Sequence, residues 1–199
     1  NSRDQEVTAT QQLNVRPLET QRTTVTPVNG YIRISGAAGS ISASARITAT
    51  SNGKSFGSAL PVLPSAAALG NGDTKRFSGV GDASARTIAA GTPATFRSTL
   101  LLIETAGQNA TVRVSVWYTV PAGQLVSSQT VSSREFTVGG SQMLVINDLA
   151  RSIIGAQRDS FGDLREMQVD VTVINGSGRV LPYLESVDNG SGDMVVRPE

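Results

Sequence analysis

A chain of 199 residues with 39% hydrophobic and only 17% charged residues is long enough to bury a core, and its surface must be covered largely by Ser, Thr, Asn, Gln and Gly. Lys plus Arg number 17 and Asp plus Glu 16, a net charge of +1, so there is no broad field to draw in nucleic acid or an anionic membrane. The lack of both cysteine and histidine removes disulfides, thiolate and imidazole metal sites, cysteine nucleophiles and the usual base for a serine nucleophile, so no catalytic function is expected.

Period-two alternation, the mark of strands with one face buried, recurs along the chain. Val7–Thr10, Gln12–Val15 and Tyr31–Ser35 read as the first strands. Ile41 to Thr50 follows, with Ile41, Ala43, Ala45, Ile47 and Ala49 on one face and Ser42, Ser44, Arg46, Thr48 and Thr50 on the other. Ser65 to Ser84 has no sustained periodicity and reads as a linker or long loop. Beyond it come strands at Phe96–Glu104 and at Val112–Val120, where Val112, Val114, Val116 and Tyr118 face inward and Arg113, Ser115 and Trp117 outward. Strands are also predicted at Gln129–Val138, Gln142–Ile146, Met167–Val173, Arg179–Val187 and Met194–Arg197.

Gly- and Asn-rich turns separate them, among them Asn52-Gly53, Gly139-Gly140 and Asn175-Gly-Ser-Gly178. One short helix is expected near 148–157, capped by Asn147 or Asp148 and carrying Leu149, Ile153 and Ile154 as an apolar stripe. The fold class is therefore all-β, an antiparallel β-sandwich of immunoglobulin-like or jelly-roll-like type. Its core should include Ile32, Ile34, Ile41, Ile47, Leu100, Leu102, Val114, Val116, Val169, Val171 and Val180. No apolar run approaches the roughly 20 residues of a membrane span. The opening Asn1-Ser-Arg-Asp4 lacks a signal-peptide core, which is the expectation for a mature or excised chain.

Tyr31 to Asn52-Gly53 lines up with Val169 to Asn189-Gly190, Ile32 and Ile34 matching Val171 and Val173, and Gly39 matching Gly178. Val7 to Val15 resembles Phe136 to Ile146 in the same order. The shift, about 130 to 140 residues, suits a whole domain repeated in tandem rather than a solenoid. The expected organisation is a partial first repeat over 1–64, a linker or long loop over 65–85 and a complete repeat over 86–199.

Phe96-Arg-Ser-Thr-Leu-Leu-Leu, Ala110-Thr-Val-Arg-Val, Gln142-Met-Leu-Val-Ile-Asn-Asp-Leu149, Gly176-Ser-Gly-Arg-Val-Leu-Pro-Tyr183 and Val187-Asp-Asn-Gly-Ser-Gly-Asp193 resemble the tandem β-sandwich repeats of large secreted or cell-surface bacterial proteins. The resemblance implies a non-catalytic module with an extracellular address, and it carries no catalytic motif.

Asp188-Asn-Gly-Ser-Gly-Asp193 places oxygen ligands at alternating positions, with Asp188, Asn189 and Asp193 as candidate cation ligands. It lacks an EF-hand's distal glutamate, so a hairpin turn is the competing reading and no cofactor is expected. Trp117, the only tryptophan, shares a polar face with Arg113 and Ser115 and is the candidate ligand-binding residue, either for a sugar ring or for a covering layer of protein. Arg158, Asp159, Asp163, Arg165 and Glu166 alternate in sign, which favours mutual ion pairing on a solvated turn over paired-acid chemistry. The expected function is a structural or adhesive module that pairs with neighbouring domains or other copies of itself, with a filament as one form of assembly. The rival is a carbohydrate-binding module.

Overall fold

The computed structural model describes residues 31–35, 43–51, 54–60, 62–83, 96–119, 129–188 and 194–197. The expected strands Val7–Thr10 and Gln12–Val15 lie outside these residues, as does the core candidate Ile41, and the side chain of Ile47 is likewise outside. The described residues are antiparallel β-structure with few helical turns, so the chain is all-β.

A first hairpin pairs β1 (Ala45–Ser51) with β2 (Lys54–Leu60). Eight further strands follow: β3 (Thr74–Asp82), β4 (Phe96–Glu104), β5 (Ala110–Thr119), β6 (Gln129–Val138), β7 (Met143–Ile146), β8 (Leu164–Gly176), β9 (Val180–Asp188) and β10 (Met194–Arg197). They form two four-stranded sheets, ordered β10-β9-β4-β7 and β3-β8-β5-β6. A helix α1 (Leu149–Ile154) and a 3-10 segment, Ala156–Phe161, connect β7 to β8.

The alternation does what side-chain periodicity requires. Val112, Val114, Val116 and Tyr118 of β5 and Val169, Val171 and Val173 of β8 enter one core with Leu100, Leu102, Val180 and Leu184 from the other sheet. Leu149, Ala150 and Ile153 of α1 join the same core, so a short helix is held by packing where its length alone would not sustain it. The core residues expected between Leu100 and Val180 are all buried.

The sheet β10-β9-β4-β7 also carries apolar residues on its second face. Ile103 and Leu181 pack there with Ala68, and Tyr31, Leu63, Met143 and Tyr183 complete the cluster. The stretch expected as a linker therefore has two structural duties. Leu69 bridges to Val180 through reciprocal backbone hydrogen bonds of 2.8 and 2.9 Å, and β3 then pairs with β8. Its strand escaped the sequence reading because Gly79 and Gly81 interrupt the alternation, and the register of β3 shifts at those glycines.

Tyr31–Ser35 corrects the sequence expectation in the other direction. It belongs to no strand, and Ile32 and Ile34 are 67% and 58% exposed. Alternation states which side chains would share a face but supplies no neighbouring strand. Here the segment is fixed by Tyr31, whose hydroxyl donates to the Ser141 carbonyl at 3.0 Å.

Candidate binding face

The outward residues of β3, β8, β5 and β6 form a polar face built from cross-strand pairs. Thr74 and Thr172 join hydroxyls at 2.9 Å, and Ser115 and Ser133 at 2.8 Å. Arg113 donates from Nη2 to Glu135 Oε1 at 2.8 Å, with both side chains about half exposed. Directly opposed partners of this kind each add a modest increment to sheet stability.

Asp170 is the centre of this face. Arg76 grips it bidentately, Nε to Oδ1 at 2.7 Å and Nη2 to Oδ2 at 2.8 Å, while Trp117 donates Nε1 to Oδ2 at 3.2 Å. The hydrogen bond and charge of Asp170 raise the Arg76 pKa further above its ordinary value. With its amide oriented so that the oxygen faces Arg76, Gln168 accepts from the same guanidinium at 3.0 and 3.1 Å. Trp117 is opposite Gln168 on one side and Val131 on the other, and Val131 is 45% exposed. The result is an oriented, partly exposed indole beside an arginine, a carboxylate and an amide. Such a set can stack a flat apolar surface on the ring and hydrogen-bond its polar rim.

The three residues predicted for this face do lie on it, but each has a partner within the sheet. Sequence reading missed Asp170 and Arg76, the pair that orients the ring. An acid in the middle of Val169-Asp170-Val171 was the available signal, and its partner lies 94 positions away.

Asp188 ends β9 opposite Phe96, whereas Asn189 and Asp193 lie outside the described residues. Among the described residues no three His, Cys, Asp or Glu side chains gather as a metal site. The charged run after α1 divides. Asp159 pairs at the surface with Arg151 at 3.3 Å, but Arg158 is fully buried, contrary to the solvated turn expected. Its Nε donates to Asp82 Oδ2, its Nη2 to the Asp82 carbonyl at 2.6 Å and its Nη1 to the Gly162 carbonyl at 2.6 Å. Burial forces this pairing, because an isolated interior guanidinium would be prohibitive.

Glu104 is a second buried charge used for construction. It accepts backbone N–H groups from Ala106, Gly107, Gln108, Ser141 and Arg179, tying three connections to the end of β4. Burial pushes its carboxyl up, but these donors outweigh burial and hold it below the usual glutamate range. Burial raises the Tyr183 hydroxyl, opposed by a backbone hydrogen bond with Leu63, and raises Glu185 without an offset.

No family model, curated protein or solved structure matches this chain.

Proposed function

We propose that the chain is a non-catalytic structural or adhesive module of an extracellular bacterial protein, its two sheets being the layers of a β-sandwich. The observation that carries this reading is how the charges are used. Asp170, Glu135, Glu104 and Arg158 are each engaged in joining strands or connections to one another. That is the chemistry of a rigid spacer. The low charge and the polar, hydroxyl-rich strand faces support an extracellular setting.

The test is display of the chain on the surface of otherwise non-adherent cells, alongside hydrolase assays on the purified protein. Adhesion or aggregation dependent on the displayed chain, with no turnover, supports the module. Turnover that disappears on substituting a carboxylate would overturn it.

A carbohydrate-binding module is the second reading, favoured by the Asp170-oriented ring of Trp117 beside Val131. A glycan array separates the two: retained sugar, lost on Trp117→Ala, would favour the second.

A further inference from the structure

The edges of the two large sheets are not alike. β7 and β10, at the edges of one sheet, are four residues each. In the other sheet, β3 is bent by register shifts between Phe77 and Val80 and between Val80 and Asp82. Short and bulged edges resist pairing with another chain. β6 has neither protection. It runs for ten residues in unbroken register, from Ala110 opposite Val138 to Thr119 opposite Gln129. Among the described residues no strand lies on its other side, and Val131, Ser133, Arg134, Glu135 and Thr137 are exposed.

The same chain presents an unused strand former. Ile32, Arg33, Ile34 and Ser35 are all exposed and belong to no strand, although β-branched residues alternating with a polar one favour a pleated sheet. We infer that the β6 edge between Val131 and Val138 accepts residues 31–35 of a second copy of this chain by strand addition. This rests on the structural or adhesive reading and names its partner.

Charge sets the facing. With Arg33 opposite Glu135 on the outer face, Arg113, Glu135 and Arg33 form a ladder of alternating sign, and Ile32 and Ile34 fall on the inner face beside Arg134 and partly buried Phe136. Tyr31 is held within its own chain, in the second-face cluster and through its bond to Ser141, and residues 32–35 that follow it belong to no strand. Using one copy's edge and the next copy's segment is a heterologous contact, which propagates into rings or open filaments. A five-residue addition is small and gives weak, concentration-dependent association.

The absence of cysteine makes a clean test possible. Paired strands hold opposed Cα atoms about 4.5–5.5 Å apart, within disulfide reach. Arg33→Cys and Glu135→Cys chains, mixed under mild oxidation, should give about tenfold more disulfide-linked heterodimer than Glu135→Cys mixed with Gln157→Cys, a preference of roughly 1.4 kcal/mol. Sedimentation of the cysteine-free chain should show mass rising with concentration, and Ile32→Asp with Ile34→Asp should abolish that rise while leaving the circular dichroism spectrum unchanged. Three results would overturn the inference: equal cross-linking in both mixtures, a strict monomer at every concentration, or closure of an Arg33→Cys/Glu135→Cys chain on itself at high dilution. If cells displaying the chain still adhere while cross-linking fails, the module reading stands and this interface falls.

Discussion

The carboxylate of Glu104 meets the backbone N–H of Ser141 at 2.7 Å, although 37 positions separate them in the chain. The same oxygen accepts from Gly107 at 2.7 Å, and the other takes Ala106 at 2.7 Å and Arg179 at 2.9 Å. A buried anion is thus the common anchor for the turn after β4, the turn between β6 and β7 and the start of β9. Each of those connections runs from one sheet to the other.

Glu104→Gln is therefore predicted to be a severe change despite its shape. The amide keeps one acceptor oxygen and turns two donor hydrogens toward donors. Loss of about 2–4 kcal/mol is expected from unpaired buried N–H groups, read as a lower urea midpoint at unchanged m.

The Glu104 shift also fixes a pH dependence. Its folded pKa lies below the unfolded value of about 4.3, so its contribution is complete above that value and is lost as pH falls through the folded pKa. Glu185 has the opposite sign. Burial raises its folded pKa, so its ionisation erodes stability as pH climbs from the unfolded toward the folded value. Denaturation series should show Glu104→Gln flattening the acid limb below about pH 4.3, and Glu185→Gln raising the melting temperature at neutral pH.

Gly176 has φ +95°, and a Cβ added there would meet the carbonyl oxygen of Asn109. Gly176→Ala combines left-handed strain with a backbone clash and should cost about 1–3 kcal/mol. Gly72→Ala, with φ +90° but nothing near its Cβ, carries the strain alone and should cost less in the same melts.

Trp117→Phe removes the indole donor to Asp170 while keeping an aromatic ring on the face. A loss of about 0.5–1.5 kcal/mol is expected, with Arg76 retaining its bidentate hold on Asp170. Calorimetric unfolding of Trp117→Phe, Arg76→Ala and the double variant would measure the coupling. Strictly additive losses would show that the two donors act on Asp170 independently.

What could be read from the sequence follows from which interactions are local. Phe96–Glu104 and Gln129–Val138 are legible to the residue because each is a strand-forming run ended by turn residues, and the outward phase of Arg113, Ser115 and Trp117 follows from the inward phase of Val112, Val114 and Val116. The glycines of β3 hide its alternation, and the spacing of Ile32 and Ile34 predicts inward side chains although, among the described residues, no strand lies beside them. The partners of Asp170 and Glu104 depend on cross-strand register and on chain crossings, which composition and periodicity do not encode.

Arg158 is the clearest case of such a hidden partner. In the sequence it belongs to an alternating charged run, yet both it and Asp82 have no exposed side-chain surface. The pair joins the 3-10 segment after α1 to the end of β3, and the Gly162 carbonyl takes a third guanidinium contact at 2.6 Å. Removing one member leaves the other charged, desolvated and short of a partner, so Arg158→Met and Asp82→Asn should each cost about 3–5 kcal/mol. Removing both charges is different, because the desolvation penalty disappears with the attraction. Arg158→Met combined with Asp82→Leu is predicted to lie closer to wild type than the worse of Arg158→Met and Asp82→Leu alone, although the carbonyls of Asp82 and Gly162 still lose their donors. Chemical denaturation of this four-member cycle, with matched m-values as the check on two-state behaviour, decides the point. A double variant as unstable as the sum of the two single losses would mean that the guanidinium's bonds to backbone carbonyls, rather than the ion pair, hold this end of the core.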